Sequence, residues 1–370
     1  MVDLKSQYEK IKTEVDKGIF DVIESTTFIN GPQVKIFQQK LEKYLNINHV
    51  IPCGNGTDAL QIAMMALDLK PGDEVITASF TFIATAEVIA VLGLSPVLVD
   101  VLPNTYTIDP IAIRKAITPK TKAIVPVHLF GQTADMEEIM KIAEEHNLFV
   151  IEDNAQAIGA DYIFSDGSVK KAGTIGHIGC TSFFPSKNLG CYGDGGAIFT
   201  NDDYLAEKLR MVVNHGMKIR YYHESIGVNS RLDSIQAAIL NVKIDYLDEY
   251  AKARQNVAHF YDTAFGNHPK LKIPQRNPNS THVFHQYTLV GENIDREQLQ
   301  KKLSEHDIPM MIYYPVPLHM QKAYIDPRYK EGDFPVTEYL CNHVFSLPMH
   351  TEMDEEQLQY ITDKVLSIIN

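Results

Sequence analysis

EVITASF (74–80), PVLVDVL (96–102), AIVPVHLFG (123–131) and LFVIEDNAQ (148–156) are short, unbroken apolar runs separated by helix-like stretches at 81–92, 110–117 and 136–146. Strands buried on both sides have no polar face, so this alternation predicts a mostly parallel sheet covered by helices, an α/β fold. Ligands of such sheets bind outside the carboxyl ends of the strands. The residues at those ends therefore carry the functional reading: Phe82 just after Ser79, then His128, Asp153 and Gln156. A carboxylate at Asp153 serves as a helix cap, a salt-bridge partner or a catalytic group, and the residues alone leave all three open.

Upstream, IPCGNGTDALQIAMMALDL (51–69) runs from a turn at Gly54, Asn55 and Gly56 into a helix with Thr57 or Asp58 near its cap. The free N–H groups and positive dipole end of a helix start can cradle a phosphate. Most helix starts look like this, however, and no Gly-Lys-Ser/Thr follows to make a Walker loop. Downstream, TSFFPSKNLGCYGDGGAIFT (181–200) is a strand-like run that leads to Lys187 in a turn with Gly190, Gly193, Gly195 and Gly196. A long amine at the end of a buried strand, among glycines that admit a ligand close to backbone, suits a Schiff-base lysine. Taken alone it reads first as a solvated loop lysine.

The flanks are plainer. Residues 1–25 read as an amphipathic helix, FINGP (28–32) as a turn, 34–44 as a second helix, and YIFSDGSVKKAG (162–173) as an exposed hairpin. After a helix at 203–213, Leu232, Ile235, Ile239 and Val242 recur at helical spacing, which predicts one long helix from near Arg231 past Tyr250. A Pro-, Asn- and His-containing linker at 266–282 places a domain boundary in the 250–270 region, taken as 1–255 and 256–370. The second part reads as a smaller α+β domain.

With 370 residues the chain has room for two domains, and its net charge of -13 argues against nucleic acid or an anionic membrane as partner. A phosphate ligand must then be held by a local site. The charged start, MVDLKSQYEKIKTEVDK (1–17), has no apolar signal core, so no export signal is expected, and the apolar window 83–102 is broken by Glu87, Gly93 and Pro96. The cysteines Cys53, Cys180, Cys191 and Cys341 form no CxxC pair and there is no HExxH, so neither zinc nor disulfides are expected. A cytoplasmic protein is the expectation.

A helix start with Gly56 and Thr57, an Asp at a strand end and a Lys in a glycine-rich turn fall in one α/β domain. A pyridoxal phosphate enzyme needs these groups: a phosphate cup, an acid facing the pyridine nitrogen, and an amine. A nicotinamide enzyme is disfavoured, since GxGxxG with a later ribose-binding acid is missing from the first strand-to-helix turn. GNGTDAL, FTFIATAE, PVHLFGQ, EDNAQAIGA, SFFPSKNLG, GDGGA and NSRLDSIQAAIL together resemble the DegT/StrS-type sugar aminotransferases, pyridoxal phosphate enzymes of fold type I. The resemblance spans nearly the whole chain and implies the aspartate aminotransferase-like fold.

Carried over position by position, it implies that Lys187 forms the Schiff base with pyridoxal 5'-phosphate and Asp153 pairs with the pyridine nitrogen. Gln156 would contact the phenolic oxygen and Phe82 would stack on the ring. Gly56, Thr57 and Ser182 would hold the phosphate, and Asn229 would reach in from the second subunit of a homodimer. Asn154 stands where many relatives have alanine. A dehydratase branch has His in place of the lysine, so Lys187 favours transamination. NSRLD, HQYT, YYPVPLH and SLPMH resemble the enzymes that aminate C3 of a UDP-linked 2-acetamido-3-oxo-glucuronate, with L-glutamate as donor, for surface polysaccharides such as lipopolysaccharide. Arg231, His319 and Tyr314 are the candidate substrate contacts. Arg231 suits a carboxylate through its two-pronged geometry; it equally suits glutamate's carboxylate or an interface, and His319 equally packs beneath the prolines. The rivals are amination at C3 or C4 of a dTDP- or UDP-linked keto-6-deoxyhexose, and a non-catalytic cofactor-binding sensor.

Overall fold

Two apolar cores lie on opposite faces of one sheet, and the computed structural model, which describes residues 1–369, shows how the apolar runs build it. Its strands are β1 (His49–Cys53), β2 (Glu74–Ala78), β3 (Ser95–Val99), β4 (Thr121–Val125), β5 (Phe149–Asp153), β6 (Ile178–Ser182) and β7 (Gly196–Thr200). They lie in the order β1-β7-β6-β5-β4-β2-β3. Only β7 runs against the rest, antiparallel to both β1 and β6. Neighbouring residues along a strand enter opposite cores. Ile76, Ile124 and Val150 pack with Ile139 and Ile142 of the helix Met136–His146. Val75, Ala123, Val125 and Ile151 pack with Ala59, Leu60 and Ala63 of the helix Gly56–Ala66. Each buried Val or Ile contributes about 1.5–3 kcal/mol, which is why the runs are continuous rather than alternating.

The N-terminal helix Leu4–Ser25 is capped by Asp3, which accepts from the Ser6 N–H at 2.9 Å. Its stripe of Ile11 and Val15 packs on Ile239. Pro32 opens the next helix, Pro32–Leu45, where its missing N–H costs nothing. The expected hairpin forms from Asp161–Ile163 and Val169–Lys171.

Three sequence expectations need correction. The helix expected over 81–92 is Ala84–Val91, so Thr81 and Phe82 lie in the loop after β2. The cap of Gly56–Ala66 is Asn55, whose Oδ1 accepts from the Asp58 N–H at 2.8 Å; Thr57 and Asp58 lie inside the first turn. The single helix expected from Arg231 past Tyr250 is two, Ser234–Lys243 and Leu247–Phe265, joined by a 3-10 turn at Ile244–Tyr246. Asp233 takes the cap position with extended backbone (φ -65°, ψ 143°), so Arg231 precedes the helix. Leu232 misled the spacing because it is buried with Phe37 and Phe183 from a non-helical segment.

Leu247 packs with Phe37 and Leu41, whereas Val257, Tyr261 and Phe265 of the same helix pack with Leu289 and Phe345. Leu289 and Phe345 belong to an antiparallel sheet of β8 (Leu271–Lys272), β9 (Tyr287–Gly291) and β10 (Val344–Leu347). The helices Arg296–Ser304 and Glu355–Ile369 share its core.

A buried polar knot ties β5 to the segment that enters β6. Glu152 accepts from the N–H groups of Gly173 (2.8 Å), Ile175 (2.6 Å) and Gly176 (2.5 Å). His128 Nδ1 accepts from the Ala134 N–H at 3.2 Å, which leaves Nε2 to donate to Glu152 at 2.8 Å. Both side chains are fully buried. Thus His128, a strand-end residue expected near ligand, instead braces the fold. Removing the carboxylate strands four donors, so Glu152→Ala should lower unfolding free energy by about 3–5 kcal/mol. Denaturant midpoints of the two purified proteins measure this.

Candidate active site

The carboxyl ends of β2, β5 and β6 open into a cavity of about 810 Å³, lined by Gly56, Thr57, Phe82, Asp153, Gln156, Ser182, Lys187 and Tyr314 among others. Seven of these come from the first part of the chain and Tyr314 from the second. Each is held by a local device. Gly56 sits so close to β6 that a Cβ there would lie 2.7 Å from Ser182 Cβ, and one on Gly196 would lie 2.5 Å from the Asn55 carbonyl carbon. The glycines of GNG and GDGG thus let a helix start and two strands meet, leaving the N–H groups of the first turn beside Thr57 and Ser182.

Asp153 is 6% exposed. Its Oδ2 accepts from the Thr85 hydroxyl at 2.7 Å and its Oδ1 from the Ala155 N–H at 3.1 Å. Gln156 Oε1 accepts from the Phe130 N–H at 2.7 Å, and Nε2 donates to the Tyr314 hydroxyl at 3.0 Å, leaving a second amide proton. Phe82 is 52% exposed at the rim, its ring centroid 6.2 Å from that of Tyr314.

Lys187 follows β6 on a loop pinned at several points. Its N–H donates to Phe184 O, Asn188 Nδ2 to Val283 O at 2.9 Å, and Lys243 Nζ to Gly190 O at 2.6 Å. The side chain is half-buried in the cavity. Desolvation of its ammonium pushes the pKa down from 10.5 to about 8, and Asp153 opposes part of that shift. Near neutral pH a useful fraction of the amine is therefore free base.

Three predicted residues are not among those that line the cavity. Asn229 is exposed and bridges to Asn214. Arg231 is half-buried, its backbone nitrogen 3.9 Å from where a Cβ on Gly54 would lie. His319 is 4% exposed, Nδ1 against Ser79 Oγ at 2.9 Å and Nε2 against Glu338 Oε1 at 3.1 Å, edge-on to Phe334. Conversely, Thr81, His285 and Gln286 carry no sequence signal that marks them as site residues. All three line the cavity, and Thr81 Oγ1, His285 Nδ1 and Gln286 Oε1 are buried without a partner. Burial, then Lys187 and Arg254, hold the His285 imidazole well below its usual pKa. HQYT was noted as a motif, yet nothing in its spacing aims it at Lys187.

The sequence profile described as the DegT/DnrJ/EryC1/StrS aminotransferase family matches residues 9–366. The chain belongs to that family. A protein of Geobacillus stearothermophilus described as a pleiotropic regulatory protein is 48% identical, over 99% of this chain and 97% of its own. The UDP-2-acetamido-2-deoxy-3-oxo-D-glucuronate aminotransferase of Pseudomonas aeruginosa is 45% identical, over 97% of both chains. The crystal structure of S. venezuelae DesV with a ketimine intermediate superposes with a TM-score of 0.94 at 38% identity, covering 99% of this chain and 97% of that one. The fold is that of the fold type I enzymes, and the family uses pyridoxal phosphate.

The residues present fit that cofactor. An amine of lowered pKa, a carboxylate, a glycine cradle under a helix start and three orphaned polar atoms surround one cavity. Because a lowered pKa frees the nucleophile at lower pH, capture of pyridoxal phosphate by apo protein should rise through a midpoint near pH 8 rather than 10.5. Borohydride-trapped label, followed against pH, reads that midpoint, and a rise only above pH 10 would contradict the burial argument.

Proposed function

We propose that the chain aminates C3 of a UDP-linked 2-acetamido-3-oxo-glucuronate, taking the amino group from L-glutamate, in the supply of a surface polysaccharide. The observation that carries the reading is Lys187 and Asp153 in one cavity within a family of aminotransferases. The glucuronate choice rests on 45% identity along nearly the whole P. aeruginosa enzyme. The dTDP-linked amino-deoxyhexose transaminases are lower, at 40% for an Aneurinibacillus thermoaerophilus relative and 37% for a Streptomyces venezuelae one.

Lys187 would hold the cofactor through Nζ, Asp153 would face its ring nitrogen, and Gln156 would give its spare amide proton to the phenolic oxygen. Gly56, Thr57 and Ser182 would surround the phosphate, and Phe82 would lie over the ring. When bound, the cofactor supplies an electron sink and a temporary home for the amino group. Asp153 would stabilise positive charge on the ring nitrogen, and a neutral amide there would do so far less well. Freed by the incoming glutamate, Lys187 Nζ would take the proton from the donor's α-carbon and hand it back on the far side of the amino nitrogen, two atoms along, and would make the reverse transfer on the keto-sugar. Tyr314, hydrogen-bonded to Gln156, fixes that amide and walls the substrate side.

Residues 1–255 and 256–370 form the large and small domains in this reading, with Tyr314 reaching the cavity from the second. A homodimer completes the site. Ile219, Tyr221, Tyr222 and Ile226 are between 62% and 86% exposed, close in sequence to Asn229, and such an apolar patch is suited to a second copy. Arg231 pairs with the sugar carboxylate there. His319, with both ring nitrogens engaged and Phe334 against its ring, fits the packing role. No helix among the described residues is long and apolar enough to cross a membrane.

Two outcomes test this. Lys187→Ala should lose both visible absorbance and turnover; mixing it with an inactive Asn229→Ala should restore some activity through heterodimers. Arg231→Ala should lose about tenfold or more in kcat/KM on the 3-oxo-glucuronate nucleotide and much less on its neutral 6-hydroxy counterpart. Equal loss on both sugars would remove Arg231 from carboxylate recognition.

A further inference from the structure

Thr85 is the second residue of the helix Ala84–Val91 and is wholly buried. A threonine in a helix commonly bonds its hydroxyl to a carbonyl one turn back. This one reaches a carboxylate 68 residues away in sequence, Asp153 Oδ2 at 2.7 Å. Main-chain bonds already fix the Asp153 backbone, whose N–H donates to Pro126 O at 2.9 Å and whose carbonyl accepts from the His128 N–H at 3.0 Å. Those bonds leave the torsion that turns the carboxylate free. On the side chain, the Ala155 N–H holds one oxygen at 3.1 Å and the Thr85 hydroxyl holds the other. Thr85 itself does not line the cavity.

We propose that Thr85 is a positioning residue for transamination: its hydroxyl sets the plane of the Asp153 carboxylate and thereby the charge that the ring nitrogen meets. The inference rests on the role of Asp153 given above. A hydrogen bond of this kind contributes no chemistry, so its loss acts on the rate and on cofactor affinity rather than on substrate binding. Electrostatic partners must be preorganised to act without reorganising in the transition state. A carboxylate free to swing loses part of that advantage.

Thr85→Val keeps the shape and removes the hydroxyl; Thr85→Ser keeps the hydroxyl and removes a methyl. Thr85→Val should lower kcat about tenfold, as for one charge-assisted hydrogen bond, with KM for both substrates within about twofold. Pyridoxal phosphate should bind its apo form about tenfold more weakly, read by quenching of tyrosine fluorescence. Thr85→Ser should recover most of both losses. A folded Thr85→Val with wild-type kcat and cofactor affinity overturns the proposal, and so does a folded Thr85→Ser as impaired as Thr85→Val, because packing would then be the cause. Should Thr85→Val not fold, Thr85→Ala carries the same expectation and the serine variant still decides. Asp153→Asn is run alongside: wild-type activity there would sink the reading of Asp153, whereas an impaired Asp153→Asn beside an unimpaired Thr85→Val sinks this inference alone.

Discussion

Two adjacent carboxylates end β5, and strand geometry sends them opposite ways. Glu152 turns inward and gathers the N–H groups of Gly173, Ile175 and Gly176. Asp153 turns to the cavity. The segment held by Glu152 leads into β6, whose register against β5 pairs Asp153 with Cys180. Ser182 ends that strand and Lys187 follows five residues later. The positions of the acid, the hydroxyl and the amine are therefore not independent; all descend from how β6 is docked on β5. Buried polar groups hold that docking because an unmade hydrogen bond at either end costs more than a made one gains.

Close approach is the second constraint. At Gly56, Gly196 and Gly190 a side chain would collide with Ser182, with the Asn55 backbone and with the Pro185 carbonyl. The contacts at Gly56 and Gly196 bring the helix start Gly56–Ala66 against β6 and β7, so backbone N–H groups rather than a cluster of lysines line that end of the cavity. That suits a chain whose net charge is -13 and which must hold a phosphate without a basic surface. Cations do lie behind the wall. Lys243 and Arg254 are almost fully buried and bond to carbonyls of the Lys187 loop and of Phe284, His285 and Met349. Burial pushes their pKa values down, to about 8 and about 10. Their carbonyl partners satisfy N–H groups without cancelling charge.

What the sequence revealed follows from distance along the chain. Asp153 is legible because it ends a strand whose apolar run announces it, Lys187 because a glycine-rich turn follows such a strand, and Gly56 and Thr57 because a turn runs into a helix. Arg231 reads as helical because Leu232 falls in phase with Ile235 and Ile239, although Leu232 is buried with Phe183 from a non-helical segment. His285 and Gln286 were missed, since nothing local distinguishes them from other residues at the start of a strand. They reach the cavity only because Asn188 bonds to Val283 O and Arg254 to Phe284 O and His285 O. Pattern reports elements; it does not report which distant segment closes over them.

The same distance explains how one framework can serve different sugars. The groups proposed for the cofactor, from Gly56 to Lys187, lie at or just beyond the strand ends and are placed by the sheet's register, by glycine contacts and by the Glu152 knot. The cavity residues His285, Gln286 and Tyr314 come from the second part of the chain, and Tyr314 meets the first set through a hydrogen bond to Gln156 and a ring contact with Phe82. Arg231 sits in the non-helical stretch before Ser234. Substitutions there alter the wall without moving Asp153 or Lys187, because neither depends on them for a hydrogen bond. Gln156 links the two sets by hydrogen bonds: its carbonyl accepts from the Phe130 N–H and its amide donates to Tyr314 of the later segment. Strand register thus sets the acid and the amine on one wall of the cavity, later segments supply the opposite wall, and the Gln156 amide is hydrogen-bonded to both.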